Sequence, residues 1–537
     1  MSAPLTVWDT VLMVVYLASL VGLFSYGVNC YVLMMLHRRH REAWTAQARA
    51  TTEAFWSRGS AESWLPTVTV QLPIYNEQYV VERLIMNVAA LDYPRHLLEI
   101  QVLDDSTDET TPIVAALVDR YRSEGLEIHH IHRTNRVGYK AGALKEGLRV
   151  ARGEFVAIFD ADFTIPKDFL LRTVPFFEDE CVGMIQTRWG HINRDYSLLT
   201  QAQAIGIDGH FGVEQGARAW SGLLMNFNGT AGIWRARAIE EAGGWLDRTL
   251  TEDLDLSYRA QLKGWKMLYL PEVVCPAELP VQLQGFKTQQ RRWAKGSIQT
   301  AKLLLPKIWR SHLPLFTKVQ ATLHLTHYMV HPLMLSVVIL SVPLLARGFY
   351  FSSWAPLLVT VTLLALASFG PSSLYFYALG QFGPEGRARW RYLPLLVCLG
   401  TGIALSNSRA VLEALVGHSS EFVRTPKFKV ERRGDAWAGK RYATAFDRTA
   451  VAELFLGFYS LLALGLFVIH WKLFVWPFMV IYASGFFYVA LLGINQRREQ
   501  NAAARQGPGQ AGVGLEAAAE EPSVATGSAS LPVEEVL

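Results

Sequence analysis

Cysteine is scarce. The four residues, Cys30, Cys181, Cys275 and Cys398, are scattered and form no CxxC pair. Neither a disulfide framework nor a zinc site is therefore expected. Charge is also thin, at 18% of residues, and nets only +4. No run of Lys and Arg interleaved with aromatics resembles a nucleic-acid groove, so nucleic acid is not an expected partner. No GxGxxG follows the first strand-like segment, and there is no GxxxxGK[ST]. Dinucleotide and P-loop chemistry are thus not indicated. What fills the chain instead is apolar: 51% hydrophobic and 12% aromatic over 537 residues. A membrane part joined to a soluble part accounts for that balance.

Val11–Leu36 carries no charge and is long enough to cross a bilayer, and HRRHR follows at His37–Arg41. A cleaved signal peptide has a shorter apolar region with its charge in front, so an uncleaved anchor is expected. Val319–Ala346, Ala355–Gly380, Val451–His470 and Leu473–Gly493 read as four further spans. Leu393–Leu405 is apolar but is followed by SNSRAVLEAL. If it spanned, the basic loop from Gly417 to Arg448 would lie outside, against the positive-inside rule. It is therefore read as interfacial or re-entrant, giving five spans. The expectation is a multi-pass integral membrane protein (plasma or inner membrane if bacterial) with a cytoplasmic soluble domain.

That domain alternates in character. Strand-like TVTVQL (Thr67–Leu72), EIQVL (Glu99–Leu103), LEIHHI (Leu126–Ile131) and FVAIF (Phe155–Phe159) are separated by helical stretches at Tyr79–Leu91, Thr111–Arg122 and Gly138–Val150. This predicts βαβ units and a parallel sheet covered on both faces. PIYNE, DDS and DAD follow the carboxyl ends of three of these strands. Ligands bind at that edge of open α/β sheets.

Asp160 and Asp162 flank Ala161, so alternation puts both on one side of the chain. Two such carboxylates call for a cation, and hard oxygen ligands suit Mg²⁺ or Mn²⁺. Solvated loop acids are the competing reading. TEDLDLSYRAQLKG (Thr251–Gly264) resembles a helix with Thr251 as N-cap. Its acids either favour the helix dipole or include a general base, Asp253. QQRRWAKG (Gln289–Gly296) offers arginines for phosphate and an aromatic platform for a sugar. It also suits an amphipathic helix at the membrane interface.

Read together and in order, PIYNE, DDS, YKAGAL, DAD, FNGTAG, TED and Q-x-x-R-W resemble the membrane-embedded, inverting, processive glycosyltransferases of family 2, the cellulose synthase superfamily. VQLPIYNE, QVLDDSTD, GYKAGALKEGL, FVAIFDADF and FNGTAG are closer still to plant cellulose-synthase-like mannan and glucan synthases. The resemblance is dense from about Pro66 to Lys307 and loose in the membrane part. EFVRTPKF (Glu421–Phe428) partly matches the family's gating loop FxVTxK through Phe422, Thr425 and Lys427, with Arg424 in place of Val. An ordinary basic juxtamembrane loop is the alternative there.

The resemblance implies an α/β fold, a cytoplasmic GT-A (Rossmann-like parallel sheet) domain inserted between transmembrane helices. The implied layout is a transmembrane helix at 1–37, the catalytic domain at 38–280, and interfacial helices with QxxRW at 281–318. A membrane region at 319–494, including a gating-like loop at 417–448, completes it; the tail at 495–537, rich in Ala, Gly, Glu and Pro and without an apolar period, is expected to be disordered. The resemblance assigns Pro73, Tyr75, Glu77, Asp104, Asp105 and Lys140 to the donor, with Gln289 and Arg292 on its diphosphate. Asp160 and Asp162 hold Mg²⁺ or Mn²⁺. Asn228, Gly229 and Trp293 meet the acceptor, and Asp253 is the catalytic base. The implied partners are a nucleotide sugar (GDP-mannose or UDP-glucose), a growing β-linked polysaccharide and the lipid bilayer. Transfer of one sugar to a lipid, as in ceramide-glucosyltransferase-like enzymes, shares DxD and QxxRW and remains the alternative.

Overall fold

A computed structural model describes residues 6–59, 64–347, 354–418, 420–442, 449–471 and 476–506. The soluble domain is built on seven strands: β1 (Val68–Ile74), β2 (Leu98–Asp104), β3 (Ile128–His132), β4 (Phe155–Ile158), β5 (Val182–His191), β6 (Gly232–Arg235) and β7 (Lys266–Ala277). Their order is β3-β2-β1-β4-β6-β5-β7. The four strands expected from the sequence pair in parallel. The sheet as a whole is mixed, because β6 runs antiparallel to both β4 and β5. Crossovers α2 (Val81–Ala89), α3 (Thr110–Ser123) and α4 (Tyr139–Val150) fall where they are predicted.

Alternate residues of β4 enter two separate cores. Phe155 and Ala157 pack with Val70 and Ile100, whereas Val156 and Ile158 pack with Leu103 and Trp234. Both faces of the sheet are covered; β4 reads as an unbroken apolar run, whereas β1 and β2 alternate and pair their buried polar side chains, Thr69 with Glu99 and Gln71 with Gln101.

Helix α1 (Val7–Trp56) continues well beyond residue 37, the expected boundary of the anchor. Its far end seats Phe55 in the core of the soluble domain. After α5 (Leu198–Gly209) and α6 (Glu252–Leu262), α7 (Leu283–Arg310) carries QQRRWAKG toward the membrane region. That region comprises α8 (Val330–Ala346), α9 (Trp354–Gly380), α10 (Leu393–Gly402), α11 (Ala404–Val416), α12 (Thr449–Ile469) and α13 (Trp476–Gln506). Among the described residues, five helices are long and apolar enough to cross a membrane. The helix pair ending in α10 and α11 bends by 44°, a geometry that a re-entrant segment and a broken span share.

Helix α13 runs to Gln506, past Asn495 where the disordered tail is expected to begin. Residues 507–537 of that tail lie outside the described residues, as do 443–448 of the gating-like loop. α1 and α9 meet backbone to backbone. A Cβ on Gly27 would stand 2.6 Å from the Leu366 carbonyl oxygen, so only glycine permits this crossing.

Candidate active site

One cleft opens at the carboxyl ends of β1, β2 and β4, roofed by α7 and by the segment 420–442. Of the site residues expected from the sequence, all but one line it. β1 and the turn after it give Pro73, Tyr75 and Glu77, and the residue after β2 gives Asp105. Lys140 comes from α4, and Asp160 and Asp162 from the turn after β4. Asn228 and Gly229 precede β6, and Asp253 sits in the first turn of α6. α7 supplies Gln289, Arg292 and Trp293, and the roofing segment supplies Phe422, Thr425 and Lys427.

The exception is Asp104. It is the last residue of β2 and its side chain is fully buried away from the cleft. There it accepts from the Ser106 amide and meets His130 and His132. Burial opposes its ionisation, but hydrogen bonds from His130 and Ser106 outweigh this and hold its carboxyl at about 2. Strand alternation explains the split: consecutive acids face opposite ways, and only Asp105 turns into the cleft.

The two acids of DAD are each held by an ammonium. Lys140 Nζ donates to Asp160 Oδ1 at 2.5 Å and to the Gly229 carbonyl at 2.9 Å. Lys427 Nζ donates to Asp162 Oδ2 and to the Glu278 carbonyl, both at 2.6 Å. Burial favours the neutral Lys140 amine, yet Asp160, Glu252 and Asp253 together raise its pKa. Glu77 is pushed up to about 8, chiefly by burial, with Arg424 opposing.

Asp253 is fixed by its own helix, since Oδ1 accepts from the Leu254 amide at 2.8 Å. Its other oxygen lies against Gly229, where a Cβ would stand 2.8 Å from Oδ2. Burial first, and the neighbouring Glu252 second, raise the pKa of Asp253. Thr251 occupies the N-cap position of α6 as expected, but its hydroxyl makes no capping bond and meets Thr300 on α7 instead. α7 is locked from its other side as well. Glu413 on α11 accepts from Arg291 at 2.7 Å and from Lys295 at 3.2 Å.

Several cleft residues escape sequence reasoning. Arg136 lies over the Tyr75 ring at 3.3 Å, forming one wall with the Arg133–Asp105 pair beside it. Arg424, the departure from FxVTxK, donates to the Tyr75 carbonyl at 2.8 Å and pairs with Glu77 at 3.4 Å. Glu278 accepts from the Phe428 amide at 2.8 Å and thereby anchors the roofing segment. Arg136 had a weak signal in the basic run HRTNRVGYK; Glu278 had none. Two non-glycine residues next in the chain to cleft residues, Asn76 and Tyr139, hold positive φ of 54° and 50°. Such conformations cost energy and persist where packing imposes them, as at binding sites.

Residues 66–296 match the family described as glycosyltransferase like family 2. This segment is a family 2 glycosyltransferase domain. Glucomannan 4-beta-mannosyltransferase 2 of Arabidopsis thaliana is 45% identical over 258 residues, 47% of this chain and 48% of that protein. Glucomannan 4-beta-mannosyltransferase 1 of Oryza sativa subsp. japonica is 44% identical over 254 residues, 46% of this chain and 48% of that protein. The chain thus matches about half the length of these curated relatives. Among solved structures, mannosyltransferase PcManGT from Pyrobaculum calidifontis, in complex with GDP-Man and Mn2+, aligns with a TM-score of 0.45 at 20% identity. That alignment covers 74% of this chain and all of that one.

Proposed function

We propose that the chain is an inverting, nucleotide-sugar-dependent hexosyltransferase that extends a β-linked, β-1,4 glycan of the mannan, glucomannan or glucan type. The observation that carries this is the convergence in one cleft of a half-buried carboxylate, Asp253, a DxD pair and the arginine of QxxRW. The names of the plant relatives support mannose as the transferred sugar. GDP-mannose is accordingly the first donor to test, with UDP-glucose second.

In this reading Tyr75, Glu77, Asp105 and Arg136 form the nucleotide wall. Arg292 and Gln289 face the diphosphate, and Arg292 favours the charge that develops on it. Asp253 takes the proton of the acceptor hydroxyl as that oxygen attacks the anomeric carbon. A single displacement inverts the centre, so an α-linked donor gives a β-bond. Trp293 offers its face to the terminal acceptor sugar, and Asn228 and Gly229 border the transferred one. The segment carrying Phe422, Thr425 and Lys427 closes over the nucleotide.

The donor set fits a hard divalent cation: Asp160 and Asp162 present carboxylate oxygens, and both already attract cationic partners. Bound there, Mg²⁺ or Mn²⁺ would supply Lewis-acid stabilisation of the diphosphate leaving group. The basic residues flanking the membrane helices favour a cytoplasmic domain and passage of the product outward.

The test is direct. Purified protein is incubated with each radiolabelled nucleotide sugar and Mg²⁺ or Mn²⁺, and the product is sized and digested with linkage-specific glycosidases. A β-1,4-mannanase-sensitive polymer from GDP-mannose is expected; a single glycolipid band would replace this reading with lipid glycosylation. Trp293→Ala should raise the acceptor KM about tenfold, the scale of one lost aromatic contact, while donor affinity stays within about twofold. Equal loss of both would remove the stacking role.

The pH profile gives a further check. Because burial and Glu252 raise the pKa of Asp253, the acid limb of kcat/KM should lie above the ordinary carboxylate range. In Glu252→Gln a negative neighbour is gone, ionisation of Asp253 is easier, and the limb should move to lower pH. A limb that stays in place would separate Asp253 from the observed ionisation.

A further inference from the structure

We propose that Asp104, His130 and His132 form a second cation site, selective for a late first-row divalent ion of the Zn²⁺ class and separate from the DxD pair. β3 is the edge strand, and on it His130 and His132 are two residues apart, so both imidazoles project from one face. Parallel pairing sets Asp104 of β2 opposite His132. Three ligand atoms then converge. Asp104 Oδ2 is 3.0 Å from His130 Nε2 and 3.3 Å from His132 Nδ1, and all three lie within 4.8 Å of one another. With metal–ligand bonds of about 2.0–2.2 Å, two donors on a tetrahedral ion stand roughly 3.3 Å apart. The spacing therefore needs little adjustment to admit one.

The setting is that of a built site. Asp104 is fully buried, with Oδ1 fixed by the Ser106 amide at 2.8 Å, so the carboxylate is oriented before any ion arrives. His130 is 16% and His132 36% exposed at the side chain, which leaves an entry path from solvent and room for water as a further ligand. Two imidazoles and one carboxylate favour Zn²⁺, Co²⁺ or Ni²⁺ over Mg²⁺, so the ion that serves sugar transfer would not fill it. None of the four cysteines takes part. The Arg133 amide donates to the Asp104 carbonyl at 2.9 Å, and the Arg133 side chain clamps Asp105. An ion on Asp104 and the two histidines would thus brace the strand ends that carry one wall of the cleft.

Cobalt is the probe, because its visible absorption reports its coordination. Tag-free, chelator-stripped full-length protein in detergent is titrated with Co²⁺ alone, then with Zn²⁺. One equivalent of Co²⁺ with d–d bands, displaced by Zn²⁺, is expected. His132→Ala, at a half-exposed position, should weaken binding by at least about tenfold. Asp162→Asn should leave the Co²⁺ spectrum unchanged. Zn²⁺ should also raise the melting temperature of the wild type and not that of His132→Ala. The proposal is overturned if wild type and His132→Ala bind Co²⁺ equally, or if wild type takes up no more than a His130→Gln/His132→Ala double variant. Either result would leave the three side chains as a hydrogen-bonded triad and nothing more.

Discussion

Replacing Asp253 with Asn should lower sugar transfer by about 10²- to 10⁴-fold while nucleotide-diphosphate affinity stays nearly constant. The substitution preserves volume, and the amide oxygen can still accept from the Leu254 amide. What it removes is the ability to take a proton at the atom that lies against Gly229. Nucleotide contacts assigned to Tyr75, Asp105 and Arg136 are untouched, so the loss should fall on kcat. The measurement pairs initial rates of radiolabel transfer with calorimetric binding of the nucleotide diphosphate. Full activity in Asp253→Asn would take this residue out of the mechanism. A matched loss of binding would make its role one of holding the donor.

The second large effect concerns Asp162. Its Oδ2 is paired with Lys427 at 2.6 Å, so a divalent cation and the lysine compete for one carboxylate. Asp162→Asn should abolish metal-dependent activity, a loss of about 10²-fold or more, because several kcal/mol of leaving-group stabilisation depend on that ion. Lys427→Met should do the opposite to metal binding. It frees Asp162 from a charged hydrogen bond of about 1.5–3 kcal/mol, so Mn²⁺ affinity without nucleotide should rise roughly 10- to 100-fold. Mn²⁺ titration followed by electron paramagnetic resonance separates the two variants. Unchanged affinity in Lys427→Met would mean that Lys427 and the ion do not share Asp162.

The sequence was most legible where structure is local and both faces are buried. β4 announces itself as a short apolar run and β1 to β3 by their β-branched and alternating composition, and α2 to α4 by their spacing, because each is read within a dozen residues. β5 to β7 carry a weaker signal. β7 contains Pro271, Glu272 and Pro276, residues that a central-strand pattern lacks; it is an edge strand, and Pro271 and Glu272 fall in a break in register against β5. β6 is only four residues long.

The cleft follows the same rule. PIYNE, DAD, TED and QxxRW are compact and chemically pointed, so their residues could be named. Arg424 meets Tyr75 and Glu278 meets Phe428 across long stretches of chain, and nothing local marks such pairs. Asp104 shows the opposite failure. A doubled acid looks like one binding unit, yet the pleat sends its two side chains to different places.

The contact between α6 and α7 has a consequence for redesign. A Cβ on Gly296 would stand 2.5 Å from the Thr251 methyl group, so the helix bearing Arg292 and Trp293 sits hard against the turn that leads to Asp253. The residues proposed as base, leaving-group clamp and acceptor platform, Asp253, Arg292 and Trp293, therefore travel as one cassette. The proposed nucleotide wall is made elsewhere, from the ends of β1 and β2, the Arg133–Tyr139 turn and the incoming Arg424. A change of donor can be sought by grafting those loops alone, with the reaction machinery carried over unaltered from one sugar to the next.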